Sequence, residues 1–232
     1  MDSSVNNAER RLHLKRLAAL GALGPAGLAG LIQDALAAED AVVRQGFHKI
    51  EGAVNVNGKP ATMSTIVKAG DEVSTAEGST AMVVIGKDAY LLRGGTGVTF
   101  ESNRRTPTIV TQVLVATGKL LAVFGKRLNN GVTIQGRNAT IGIRGTGCYL
   151  EVGDTRGYFC LCYGEATIDC PGMAQPTRLK TSHHDNPVWL DSRGGVTAVE
   201  TANYAYHTDA ELIMLEALQG REPPFVALGL YK

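Results

Sequence analysis

Hydrophobic and polar positions alternate in short runs along most of this chain. In Gly52–Gly58, Val54 and Val56 share one face, and Asn57-Gly58 is the residue pair that closes tight hairpins. Thr80–Ile85 is an apolar strand ended by Gly86-Lys87-Asp88, and Ala89–Leu92 runs on to Gly94-Gly95. Ala69-Gly70-Asp71 marks a further turn, and Asn129-Asn130-Gly131 another before Val132–Ile134. Val110–Phe124 has a β-branched start and an internal Gly118, which predicts two strands rather than a helix. Thr177–Thr181 alternates as a strand does. Turn signals every 8–12 residues predict an all-β sandwich or β-roll of short antiparallel strands.

One segment carries the helical period instead. From Tyr206 to Gly220, Leu212, Leu215 and Gln219 form a stripe that Ile213 and Met214 widen. Thr208 and Glu211 have the spacing of a capping box, Gly220 suits the C-terminal stop, and Pro223-Pro224 forbids continuation. These features predict a helix at about 209–219, packed by its apolar face on the sheet.

The N-terminus follows a different logic. Arg10, Arg11, Leu14 and Lys15 match the twin-arginine export pattern, with His13 and Glu9 departing from it. An apolar, glycine-rich run from Leu17 to Ile32 leads to Ala35-Leu36-Ala37, a small-residue cleavage pattern. Basic, apolar and small residues in that order predict a signal peptide over residues 1–37, cleaved near Ala37, and a periplasmic mature protein. The apolar run is short for a membrane span, so none is expected in the mature form. The organisation predicted is a signal peptide at 1–37, a β domain at 38–175, and an extension at 176–232 bearing the helix.

Net charge is +1 over 232 residues, which argues against nonspecific binding to nucleic acid or to an anionic membrane. Gly94-Gly95-Thr96-Gly97 lacks the Lys-Ser/Thr and the following helix of a phosphate loop.

The ordered series Gly52–Gly58, Val67–Val73, Ser79–Ile85, Gly118–Leu121 and Ile141–Thr146 resembles the FecR-type domain of bacterial envelope signalling. The likeness covers about residues 45–170. Its centre is Ile141-Gly142-Ile143-Arg144-Gly145-Thr146, where Gly142, Arg144, Gly145 and Thr146 are the motif positions. The resemblance implies a noncatalytic sensing or binding role in the periplasm, linked to iron or other metal signalling. It lacks the preceding cytoplasmic helical segment of many members. An alternative is a purely structural envelope module whose partner, an envelope protein or glycan, binds through an exposed β edge.

Chemistry-bearing residues cluster late in the chain. Cys148, Cys160, Cys162 and Cys170 all lie within one short stretch, and an even count in an oxidising compartment suggests disulfides. A hairpin centred on Thr155 would set Cys148 opposite Cys162, within reach of a bridge. Alternatively Cys160 and Cys162, on one strand face, converge on a metal with His183 or His184 and His207. That donor set suits zinc, iron or haem. In a strand, only one of His183 and His184 could join a given site. His207 precedes the helix, whose N-terminal dipole would favour the neutral imidazole that a metal needs, and Asp185 and Asp209 are candidate orienters or ligands. A Cys–His–Asp nucleophile is the remaining reading, which would make the protein a thiol or metal-dependent enzyme. Arg144, between glycines, could approach an anion or bond nearby carbonyls.

Overall fold

The computed structural model describes residues 43–127, 131–192 and 197–230. The signal peptide expected at 1–37, with its cleavage point, lies outside these residues, as do Asn129 and Asn130 of one expected turn. Among the described residues the fold is all-β, with fourteen strands and two short helices. The strands are β1 (Gly46–Glu51), β2 (Val54–Val56), β3 (Lys59–Pro60), β4 (Glu72–Thr75), β5 (Thr80–Ile85), β6 (Asp88–Leu92) and β7 (Gly97–Glu101). They continue as β8 (Gln112–Val123), β9 (Val132–Gln135), β10 (Thr140–Val152), β11 (Arg156–Asp169), β12 (Thr177–Thr181), β13 (Val188–Asp191) and β14 (Ala198–Thr201). Helix α1 (Asp209–Leu218) and the single turn α2 (Pro224–Ala227) follow.

Three long strands, β8, β10 and β11, organise the molecule, because each serves two layers. The first half of β8 pairs with β7 and, in parallel, with β9; its second half pairs with β6 and β10. Strand β9 therefore separates β8 from β10 at one end and is absent at the other, which splays the long strands apart. One layer runs β3-β2-β4-β7-β8-β9-β10-β11-β12, and the other runs β1-β5-β6-β8-β10-β11-β13-β14. Strands β12, β13 and β14, from the expected C-terminal extension, are hydrogen-bonded members of this sheet.

Burial follows from the layering. Strands of the first layer alternate buried and open positions, as in β7 and β9, because one face meets solvent. Strands of the second layer are buried on both faces: β5, β6 and the facing halves of β8, β10 and β11 read as continuous buried runs. Their inner side chains, such as Tyr90, Leu120, Leu150 and Phe159, pack against Val98, Val113, Ile134 and Ile141 of the first layer. Their outer side chains, among them Met82, Val84, Leu91, Leu121, Tyr149 and Tyr158, pack under α1 and α2.

The strands change layer at irregular points. Val110–Phe124 holds one bent strand rather than the two expected. Gly118 absorbs the bend at φ +91°, and a Cβ there would stand 2.4 Å from the Thr96 Cα. Strand β10 shifts register between Arg144 and Gly147, within the glycine motif. Strand β11 turns at Gly164, φ +96°. Along the motif Ile141 and Ile143 enter the core while Arg144 is exposed.

Asn57 and Gly58 both adopt positive φ, 51° and 76°, as a tight β2–β3 hairpin requires. Helix α1 begins at the expected Thr208–Glu211 capping box, and Gly220 follows it at φ +67°. No helix among the described residues is long and apolar enough to cross a membrane.

A buried polar knot ties the second layer to the loop after β8. Asp88 is fully buried and accepts from the Tyr90 hydroxyl (3.2 Å), the Gly125 amide (3.1 Å) and the Arg127 guanidinium. Burial pushes its carboxyl up from 3.8 to about 6, against the opposing pull of Arg127, Gly125 and Tyr90. A carboxyl raised in the folded state contributes most below its unfolded pKa, and that contribution is lost as pH rises through the folded value. The gap from 3.8 to about 6 corresponds to roughly 3 kcal/mol. The stability difference between the protein and Asp88→Asn is expected to move by that order between about pH 4 and pH 7, with the parent losing ground as pH rises. Urea melts at both pH values measure it, and a pH-independent difference would show that Asp88 is already ionised at the low end.

Candidate metal centre

Strand β11 runs through the second layer with Tyr158, Cys160 and Cys162 on its outer face, under the C-terminal segment, and Phe159 and Leu161 on its inner face. Period-two alternation puts both thiols on one side. The chain after β12 then turns back over them. Asp185 builds that turn: its carboxylate accepts from the Thr181 hydroxyl (2.7 Å) and the Ser182 amide (2.9 Å). The His184 amide donates to the Cys162 carbonyl at 3.0 Å, and His184 takes φ +52°. One of the two histidines joins the thiols, as expected, but strand alternation does not select it, because strand geometry ends at Thr181. Both rings lie against Asp209, the first residue of α1, and only His184 reaches the thiols.

His207 arrives from the other side, two residues before α1 starts. Tyr158 holds its loop: the Tyr158 hydroxyl donates to the Asn203 carbonyl at 3.0 Å, and the Ala205 amide donates to that hydroxyl at 3.2 Å. Tyr204 donates to the His207 carbonyl at 2.6 Å, and Tyr149 stacks on the His207 ring with 11° between planes.

Four donor atoms converge. Cys160 Sγ lies 3.4 Å from His184 Nδ1, Cys162 Sγ lies 3.2 Å from His207 Nε2, and the two ring nitrogens are 3.3 Å apart. The potential ligand atoms of Cys160, Cys162, His184 and His207 all lie within 4.8 Å of one another. Both sulfurs belong to fully buried residues, and His184 and His207 are 2% and 4% exposed. The far side of each ring is engaged as well. His184 Nε2 lies 2.9 Å from Asp209 Oδ1, and His207 Nδ1 lies 2.9 Å from the Ala205 carbonyl. A carbonyl only accepts, and a carboxylate has the same preference, so the outer nitrogens carry the protons. On neutral rings the inner nitrogens are then acceptors that face each other and the sulfurs.

Charge in the cluster is divided unequally. Hydrogen bonding from Cys162 is the largest influence on Cys160, whose thiol falls to about 4 against the opposing effect of burial, with His184 and His207 helping. Burial pushes Cys162 well up, as does the hydrogen bond it gives Cys160. Burial works to lower His184, but Asp209 and the Cys160 thiolate raise it above its ordinary value. Without a metal the surroundings favour negative charge on Cys160 over Cys162.

His183 stands one step outside. Its Nε2 meets both Asp209 oxygens, at 2.9 and 3.0 Å, and its ring packs on Phe225 with centroids 4.5 Å apart. It steadies the carboxylate that orients His184. Asp209, suggested by the sequence only as a nearby orienter, joins both histidines.

The remaining cysteines do not join. The β10–β11 connection is the three residues Gly153–Thr155, so Glu151 faces Tyr158 and Tyr149 faces Cys160. Leu161, not Cys162, stands opposite Cys148. A one-residue slip reverses faces, so Cys148 points into the inter-layer core while Cys162 points outward. The expected Cys148–Cys162 bridge is therefore replaced by free thiols, and Cys170 is also free and buried. At the other motif, Gly142, Arg144, Glu165, Thr167, Arg178 and Lys180 border an open groove of about 420 Å³ on the first layer. Gly145 takes φ +57° and Thr146 is fully buried.

No protein-family model matches the chain, and no curated protein matches it significantly. Among solved structures it is similar to a candidate anti-sigma factor from Parabacteroides distasonis ATCC 8503, in two crystal structures at 1.65 and 2.50 Å. Sequence identities are 13% and 15%, and TM-scores 0.47 and 0.46. Each match covers 57% of this chain and 60% of the other, so the chain spans less than two thirds of its neighbour's length. At that level of likeness the chemistry of this chain has to be read from its own residues.

Proposed function

We propose that this protein is a noncatalytic sensing or binding module of the bacterial periplasm, built around one metal ion held by Cys160, Cys162, His184 and His207. The observation that carries the reading is the convergence of two sulfurs and two imidazole nitrogens, all buried and all within 4.8 Å of one another. A metal ion at their centre would satisfy all four donors at once, whereas shared protons would satisfy them only in pairs. Outer-shell bonds from Asp209 and Ala205 set the tautomer a metal needs. Four buried protein donors leave no open position for a substrate or water, which is the pattern of structural rather than catalytic sites. The export-signal residues and the ordered FecR-like series supply the periplasmic and signalling parts of the proposal.

A thiol enzyme is the competing reading, favoured by the line Cys160–His184–Asp209 and by the lowered Cys160 thiol. Against it, Cys160 is fully buried, beneath the C-terminal segment. Native mass spectrometry of the exported protein decides. One metal per chain beginning near Ala38 supports the proposal. A metal-free chain whose Cys160 is alkylated rapidly near neutral pH supports the enzyme, and a metal-free chain with disulfides would sink both.

Asp209→Asn should weaken metal binding by about 10- to 100-fold, the usual cost of losing an orienting carboxylate. Chelator competition measures it. Unchanged affinity would mean that Asp209 serves only to start the helix.

A further inference from the structure

The donor spacing narrows the ion, and the origin of the donors indicates what it does. We propose, resting on the metal-binding reading above, that the ion is zinc(II) in a closed tetrahedron and that it latches the C-terminal segment onto the sheet.

Zinc with bonds of about 2.3 Å to sulfur and about 2.0–2.1 Å to nitrogen requires tetrahedral edges of about 3.3–3.6 Å for N···N and S···N pairs. Of the three edges seen here, N···N is 3.3 Å and one S···N is 3.4 Å, within that range, while the Cys162–His207 edge, 3.2 Å, is shorter and must lengthen when the ion enters. All four donor atoms lie within 4.8 Å of one another, so they cluster about a point rather than lie along a line. A two-iron cluster would place the cysteines and histidines on different metals. The sulfur–nitrogen contacts across this cluster leave no room for that. Haem needs a flat slot between its axial ligands, and 3.3 Å between the imidazoles provides none. Two thiolates neutralise the ion, as burial demands.

The four donors belong to three separate pieces of chain. Cys160 and Cys162 sit on the sheet, His184 on the turn after β12, and His207 on the approach to α1. Asp209, bound to His184, is the first residue of that helix. A ten-residue helix is marginal by itself, so α1 depends on what holds it down. Its side chains cover the outer face of the second layer, including Leu121 and Tyr149. Three of its carboxylates, Asp209, Glu211 and Glu216, are buried. Glu211 is held by Arg93, and Glu216 by Tyr163 and Arg221. Arg93 thus holds the first turn, and Tyr163 and Arg221 the second half of α1. The metal adds a second hold on the approach and the first residue, through His207 and through His184 and Asp209. The protein thus has a means of coupling metal supply to exposure of an apolar sheet face.

Full-length mature protein is stripped with chelator, then titrated with cobalt(II) and zinc(II), and amide exchange is followed by mass spectrometry. Expected are intense visible cobalt bands with sulfur charge transfer, displaced by zinc, and at least tenfold slower exchange over 202–218 in the zinc form. Amides of β4 and β7, in the other layer, serve as the internal reference. His207→Cys should retain tetrahedral cobalt, since Cys₃His is an equivalent set, whereas His207→Ala should lose it. Failure to bind any ion overturns the metal reading itself. A six-coordinate or iron-bound site leaves that reading standing and overturns zinc. Tetrahedral binding with unchanged exchange at 202–218 overturns the latch.

Discussion

Zinc at about a thousand times its dissociation constant is expected to stabilise the metal-stripped protein by about 4 kcal/mol. For a domain of this size that corresponds to a rise in melting temperature of roughly 10 °C. Only the folded chain gathers the four donors, which lie at 160, 162, 184 and 207 in sequence, so binding energy becomes folding energy. Cys162→Ser should remove most of the gain. A serine hydroxyl at that point is a poor zinc ligand and keeps its proton, and its own cost appears equally with and without zinc. The zinc-dependent increment must also shrink as pH falls, since protons compete for sulfur and imidazole. Thermal melts of parent and variant, each with zinc and with chelator, measure the four corners of the comparison. An increment that survives in Cys162→Ser would place the ion elsewhere.

The second large effect lies two residues further along β11. Gly164→Val is expected to cost about 2–5 kcal/mol, combining roughly 1–2 for a side chain at positive φ with about 1–3 for overpacking. A Cβ at Gly164 would sit 2.8 Å from the Thr146 Cβ and 3.2 Å from the Gly145 carbonyl. Thr146 is fully buried within the irregular stretch of β10, so it has little freedom to withdraw. Gly164→Ala should fall at the lower end of the range, since it adds the φ penalty but the smallest side chain. Urea denaturation supplies both values. A neutral Gly164→Val would show that β11 can pass between layers without this bend.

Much of the fold was legible because local chemistry and tertiary structure agree. Asn57-Gly58, the Thr208–Glu211 box and Gly220 each ask for one backbone conformation, and each obtains it. What was not legible depends on register or on long-range pairing. Gly118 reads as a break in Val110–Phe124, yet β6 and β10 flank the strand beyond it and keep it in the sheet. The Cys148–Cys162 pairing failed on the parity of one hairpin, a matter of a single loop residue. For the site, same-face geometry of Cys160 and Cys162 follows from period two alone. The convergence of His184 and His207 does not, because a positive-φ turn and a helix approach, neither of them periodic, carry those rings into place. Asp209 looked like an ordinary acidic residue of a first helical turn. Its two histidine partners lie some twenty-five residues away, and no sequence spacing announces them.

The sharing of β8, β10 and β11 between layers has a consequence for how the molecule can fail. Two hydrophobic cores ordinarily suggest two independently folding units with a seam between them. Here the two cores lie on opposite faces of the second layer, and β8, β10 and β11 continue from that layer into the first without a break. Cutting a surface loop therefore does not part the two layers, whereas the C-terminal segment can leave the outer face with the inter-layer packing intact. The weak plane of the molecule is the one between sheet and helix, not the one between the sheet's own layers.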